Sequence, residues 1–183
     1  YEPEPDLTVG ETSGLNPQSP YAASKMLCER IMADVAAATD VRTLSLRYFN
    51  PVGGDPQLRT GLQNPKPSHA LGKLVDAYTH GDVFTITGTE WATRDGSAIR
   101  DYIHVWDLAR AHVAALEHFD EVCTPQDPYQ VINIGTGTGT TVRELVAAFT
   151  EVVGEGNLKV VEGPSRPGDV IGCYTTSGLA QSK

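Results

Sequence analysis

The sequence holds no apolar run of the ~20 residues that a bilayer-spanning helix requires, so it offers no membrane helix. Residues 1 to 20 are polar, with prolines and acids and no basic segment leading into an apolar stretch, and do not read as a signal peptide. Cysteine is scarce: Cys28, Cys123 and Cys173 are odd in number, far apart and without metal-ligand spacing. That argues against a disulfide framework or a zinc site and for reduced thiols in a cytoplasmic protein. Positive charge is also in deficit, with 14 Lys and Arg against 23 Asp and Glu for a net −9 that is spread rather than blocky. Such a chain is a poor general partner for nucleic acid or an acidic membrane, although a local group of basic side chains can still hold a small anion.

What is present is a chain of 183 residues, enough for a sizeable core, without internal repeats or long low-complexity tracts. Residues 1 to 18 alternate acids with turn formers and read as an extended loop. A helix is expected from Ser19-Pro20, with Ser as N-cap and Pro at the first helical position, to about Ala38; Leu27, Ile31 and Val35 recur along it at i+4. Residues 41 to 50 alternate as a strand does and end in the turn NPVGGDP. Then follow a loop over 51 to 67, a helix over 71 to 80, a strand over 83 to 88 and a polar loop over 89 to 98. A helix over about 105 to 119 has Asp107 as its expected cap, and a strand over 129 to 135 breaks into GTGTGTT. Thr141 and Glu144 form a capping box that opens a helix to 153, and LKVVEG gives one more strand. Strands alternating with helices indicate an α/β fold.

Tyr21 and Lys25 stand four residues apart at the start of the first helix, so a phenol and an ammonium share one helix face. An ammonium beside a phenol favours the phenolate, which suits an acid/base group, and the same ammonium can bridge sugar hydroxyls. Alone, the pair reads as ordinary helix surface. GTGTGT is not G-x-G-x-x-G and lies late in the chain, so it reads as a glycine-rich turn rather than a phosphate loop.

SPYAASK, LRYFNPVG, IRDYIHVWDLARAH, VINIGTG and RPGDV follow one another in this order. Together they resemble the extended short-chain dehydrogenase/reductase family, in its NAD-dependent epimerase/dehydratase branch, over nearly the whole chain. The resemblance implies part of a Rossmann-type parallel sheet in residues 1 to 55 and a smaller, mainly substrate-binding domain in residues 56 to 183. It implies NAD as cofactor, a UDP-hexose as substrate, and interconversion of UDP-galactose and UDP-glucose through transient oxidation at sugar C4. By their match, Tyr21 is the acid/base and Lys25 holds the nicotinamide ribose, with Tyr48 and Phe49 along the cofactor. Asn50, Arg100, Tyr102, Arg166 and Asp169 fall to the sugar nucleotide, the arginines to its diphosphate, where guanidinium forks fit well. Thr85, Ile86 and Thr87 offer backbone groups to the uridine end. His104 receives no catalytic role.

The chain departs from the family in places. The dinucleotide fingerprint and the catalytic serine or threonine ahead of a VYG-like segment are missing, and SGLAQSK ends before the family's usual last helix, so the chain reads as a C-terminal fragment, inactive by itself. Ser68 and His69 stand where relatives show Asn-Leu. Cys173 occupies a position held by a bulky tyrosine in some members, and its small side chain leaves room for N-acetylated hexosamines. The resemblance implies a homodimer in the full-length protein. Two alternatives remain: a nucleotide-sugar 4,6-dehydratase or decarboxylase, and a non-catalytic nucleotide-binding scaffold.

Overall fold

The computed structural model describes residues 1 to 176 and 178 to 182; Ser177 and Lys183, which flank the terminal segment, lie outside the described residues. Residues 1 to 18 are not all loop: β1, Thr8–Val9, pairs in parallel with a strand near the other end of the chain. α1 spans Pro20–Ala38, opened by Ser19, whose hydroxyl accepts from the Ala22 amide at 3.1 Å. Its i+4 row lies on the outside, with Leu27, Ile31 and Val35 55%, 61% and 40% exposed, while Ala36 is its buried residue. The helical period was legible; the face that packs was not.

The expected strand divides into β2, Thr43–Tyr48, and β3, Asn50–Val52. The latter lies where the sequence indicated a turn. Pro51 lacks an N–H, yet β3 is an edge strand and one of its sides needs no partner. α2 covers Ala70–His80 and β4 covers Val83–Thr87. β5, Ile99–His104, was unexpected as a strand because IRDYIH does not alternate apolar with polar. α3, Val105–Glu117, is capped by His104, whose Nδ1 accepts from the Trp106 amide at 3.1 Å. Asp107 is not the cap: it sits in the first turn, 3.7 Å from Arg110. A break at His118 separates α4, Phe119–Val122.

β6 covers Tyr129–Ile134, β7 Gly139–Thr141 and α5 Val142–Val153. The capping box of α5 is present on both sides, with Glu144 accepting from the Thr141 amide at 2.8 Å and Thr141 from the Glu144 amide at 3.2 Å. β8, Lys159–Gly163, β9, Tyr174–Thr175, and α6, Gly178–Ser182, complete the chain.

The sheets pair distant segments. β1 with β9, β2 with β6, β3 with β5 and β4 with β8 are parallel, and β5 with β7 is antiparallel. Two apolar clusters form the core among the described residues. Leu74, Ala77, Phe84, Ile86 and Val146 join α2, β4 and α5, and Ile103, Leu108, Ile132 and Ile134 join β5, α3 and β6.

Asp101, fully buried on β5, ties these parts together. Its carboxylate accepts from the Thr136 amide and hydroxyl, both at 2.8 Å, from the Gly137 amide at 3.1 Å and from the Thr175 amide at 3.3 Å. A Cβ on Gly135 would approach Asp101 Oδ2 to 2.5 Å, so only glycine leaves room for this turn. The GTG turn is thus structural, wrapped around a carboxylate. α1 is fixed to β2 by Arg47, which grips Glu29 with Nε–Oε1 at 2.7 Å and Nη2–Oε2 at 2.5 Å, side chains 15% and 18% exposed. Burial alone would lower the Arg47 pKa, but its bonds to Glu29 and to the Tyr1 hydroxyl raise it above the ordinary arginine value.

Asp101→Asn, which replaces one acceptor oxygen by a donor facing other donors, is expected to destabilise the protein by about 2–3 kcal/mol. A lower urea midpoint at unchanged slope checks it. Glu29→Gln is expected to cost about 1–2 kcal/mol, since a half-buried guanidinium loses a charged partner; thermal unfolding measures it, and an unchanged Tm would show that the pair does not hold α1 in place.

Candidate functional site

A cavity of about 740 Å³ opens between α2, β4, β5 and the loop that follows β3. Arg100 and Tyr102 enter it from β5, on the strand face opposite Asp101, because successive strand residues point to opposite sides. Asn50 comes from β3, Thr85 and Thr87 from β4, and Arg166 and Asp169 from the segment after β8. Ile86 does not line the cavity: its side chain is 4% exposed in the α2–β4–α5 cluster. Among the described residues β4 pairs only with β8, which leaves the main-chain groups of its other edge unpaired by any strand.

The cationic side chains are held in defined ways. Arg100 donates through Nη1 to the carbonyls of Ile99 and Ile171, at 2.7 and 3.0 Å, and through Nη2 to that of Val170 at 3.2 Å. Of the five N–H donors of a guanidinium, Nε–H and one Nη2–H remain for a ligand. Asp169 accepts from the Arg166 amide at 2.8 Å and faces its Nε at 3.5 Å, so the Arg166 amino groups stay free of that contact. The Arg166 amide and charge hold the Asp169 carboxyl below the usual carboxylate range. Burial pushes the Tyr102 phenol up, opposed by the neighbouring Arg100.

Ser68 and His69, the pair singled out as a departure, both line the cavity, and His69 also caps α2, its Nδ1 accepting from the Gly72 amide at 3.2 Å. Sequence reasoning missed Lys73, Trp91 and Gly53 in the wall. A single lysine inside an amphipathic helix carries no signal that separates a cavity lining from a solvated face. Gly53, at φ +83°, lies so close to the His104 ring that a Cβ would collide with it, which brings the backbone after β3 down onto the start of α3.

Tyr21, Lys25, Tyr48, Phe49 and Cys173 do not line this cavity. Tyr21 is 72% exposed, and Lys25 Nζ lies 5.3 Å from its ring centroid. Tyr48 is 53% exposed and faces His112, with ring centroids 6.3 Å apart. Phe49 stacks on Tyr1 at 6.4 Å with the planes 6° apart. The Tyr1 hydroxyl accepts from Arg47 Nη1 at 2.9 Å and donates to Asn133 Oδ1. Cys173 is half-buried, and burial pushes its thiol up. A free phenol and ammonium on one helix face fit the ribose and acid/base edge that a nicotinamide dinucleotide needs. The glycine-rich turn that would cradle its pyrophosphate is not among these residues.

A profile described as "NAD dependent epimerase/dehydratase family" matches residues 1–135. UDP-glucose 4-epimerase of Azospirillum brasilense is 38% identical over 170 residues, covering 92% of this chain and 47% of the relative. That of Caenorhabditis elegans is 38% identical over 199 residues, covering 100% of this chain and 53% of the relative. Among solved structures, UDP-glucose 4-epimerase from Brucella ovis in complex with NAD superposes with TM-score 0.84 at 37% identity, over 97% of this chain and 53% of that one. The Stenotrophomonas maltophila epimerase with bound NAD and formylated UDP-arabinopyranose gives TM-score 0.88 at 32% identity, over 98% and 53%. The chain spans about half the length of the relatives it matches. By profile, identity and fold, the chain belongs to the NAD-dependent epimerase/dehydratase family.

Proposed function

We propose that the chain is the substrate-binding and acid/base half of an enzyme that interconverts UDP-galactose and UDP-glucose at sugar C4, with NAD as cofactor. The observation that carries this reading is the cavity. It joins Asn50, Thr85, Thr87, Arg100, Tyr102, Arg166 and Asp169, scattered across the chain, in one space. Arg100 and Arg166 serve the diphosphate, Thr85 to Thr87 and Asp169 the uridine and its ribose, and Asn50 and Tyr102 the sugar side. Identity of 38% to UDP-glucose 4-epimerases supports the assignment.

Tyr21 takes the proton from the sugar 4-hydroxyl and gives it back after the sugar has turned. Lys25, its ammonium beside the Tyr21 ring, holds the nicotinamide ribose hydroxyls. Bound NAD would supply the hydride acceptor and donor for C4, with Lys25 at its ribose. Phe49, and with it Tyr48, lies against the cofactor. In this reading residues 1 to 55 belong to the cofactor half together with returning segments such as β6, the parallel neighbour of β2, while residues 56 to 183 mainly bind substrate. The full-length protein is a homodimer that docks through α1, which the exposure of Leu27, Ile31 and Val35 supports. A cytoplasmic setting in galactose metabolism accords with the exposed, unpaired thiol of Cys28.

The small residue at Cys173 supports a wider substrate range, including UDP-N-acetylhexosamines. A structural neighbour at 32% identity is a UDP-Glc/GlcNAc 4-epimerase from Campylobacter jejuni.

In the full-length protein, Tyr21→Phe is expected to lower kcat for UDP-galactose conversion by at least about a hundredfold with little change in UDP affinity; full activity in that variant would remove the acid/base role. The unaltered enzyme is expected to turn over UDP-N-acetylglucosamine, and Cys173→Tyr to cut the ratio of its kcat/KM to that for UDP-glucose by about tenfold or more. A wild type that leaves the N-acetylated sugar untouched would end the wider-range reading.

A further inference from the structure

We infer that Lys73 is a third cationic contact for the phosphates of the nucleotide in the cavity. The inference rests on the nucleotide-sugar reading above and adds to it a residue that none of the recognised segments contains.

Lys73 lines the cavity from the second turn of α2 and is only half exposed. Its flanking residues anchor that turn: Gly72 is buried and Leu74 is 0% exposed in the cluster that α2 shares with β4 and α5. Lys73 therefore stands on the α2–β4 wall, the wall that also carries Thr85 and Thr87.

Among the described residues the Lys73 ammonium has neither an ion pair nor a hydrogen bond. Two carboxylates share the wall, and both already have partners. Asp55 accepts from Arg59 through Nε at 2.5 Å and Nη2 at 3.0 Å and from the Gln57 amide at 3.0 Å; these bonds, that of the Arg59 side chain foremost, hold its carboxyl down at about 2. Asp169 is taken by Arg166. The wall thus presents Lys73, Arg100 and Arg166 against Asp55 and Asp169, an excess of positive charge in a chain whose net charge is −9. With its stem packed on the wall and no carboxylate partner, the Lys73 side chain keeps its ammonium available to an anion in the cavity. A lysine acts as a movable point charge with rotatable donors, and suits a phosphate oxygen that the fixed Arg100 fork does not reach.

The test measures UDP and uridine binding to the full-length protein by calorimetry, for the wild type, Lys73→Met and Lys73→Arg. Lys73→Met is expected to weaken UDP about tenfold, the loss of one charge-assisted hydrogen bond, while uridine affinity holds and Lys73→Arg recovers most of the UDP affinity. Equal loss for UDP and uridine would overturn the inference and mark Lys73 as a structural wall residue; unchanged UDP binding in Lys73→Met would overturn it too. A wild type that binds neither ligand would refute the nucleotide-sugar reading itself and this inference with it.

Discussion

The buried carboxylate of Asp101 is the constraint on which the rest is arranged. Taking a carboxylate out of water costs several kcal/mol unless donors replace the lost hydration. Here they come from the glycine-rich turn after β6 and from β9. Because β5 alternates, the inward turn of Asp101 sends Arg100 and Tyr102 the other way, into the cavity. One residue thus ties together β5, the path of the GTG turn and the placement of two cavity-lining side chains.

Around that point the cavity is built from long-range parallel pairings. β3 lies beside β5 with Asn50 opposite Tyr102, which sets two lining residues side by side. β4 pairs with β8 in a register that puts Thr87 opposite Gly163, just ahead of the segment carrying Arg166 and Asp169. α2 then closes the wall by packing Leu74 and Ala77 onto Phe84 and Ile86, and in doing so brings His69 and Lys73 to the rim. The positive lining is therefore a by-product of apolar packing elsewhere: the helix docks through its leucine and alanine, and the lysine follows.

α1 is held differently. Its apolar row is exposed, and much of its grip on the sheet is the Arg47–Glu29 fork, with the Tyr1 ring and hydroxyl stacked into the same region. That leaves Tyr21 and Lys25 accessible together on the outer side of α1. The same helix leaves the apolar side chains of Leu27, Ile31 and Val35 exposed.

Local chemistry was legible from sequence. Ser19-Pro20 and the Thr141–Glu144 box start helices where they were expected, since a cap acts within a few residues of itself. The strand expected over 83 to 88 formed as β4, and the Tyr21–Lys25 spacing gave a shared face. His104 displaced Asp107 as the cap of α3 because β5 runs unbroken to His104 and leaves that residue at the helix boundary, which depends on the strand being paired. β1, β3, β5 and β9 were hidden for the same reason: they are short or of mixed polarity, and exist as strands only because partners far along the chain supply their hydrogen bonds. The sequence by itself determined the Ser19 and Thr141 caps, the helical periods and the phenol–ammonium pair. Tertiary structure alone decided which face of α1 packs, which charge is buried and that Lys73 joins the cavity, because burial and pairing are properties of segments brought together and not of their neighbours in the chain.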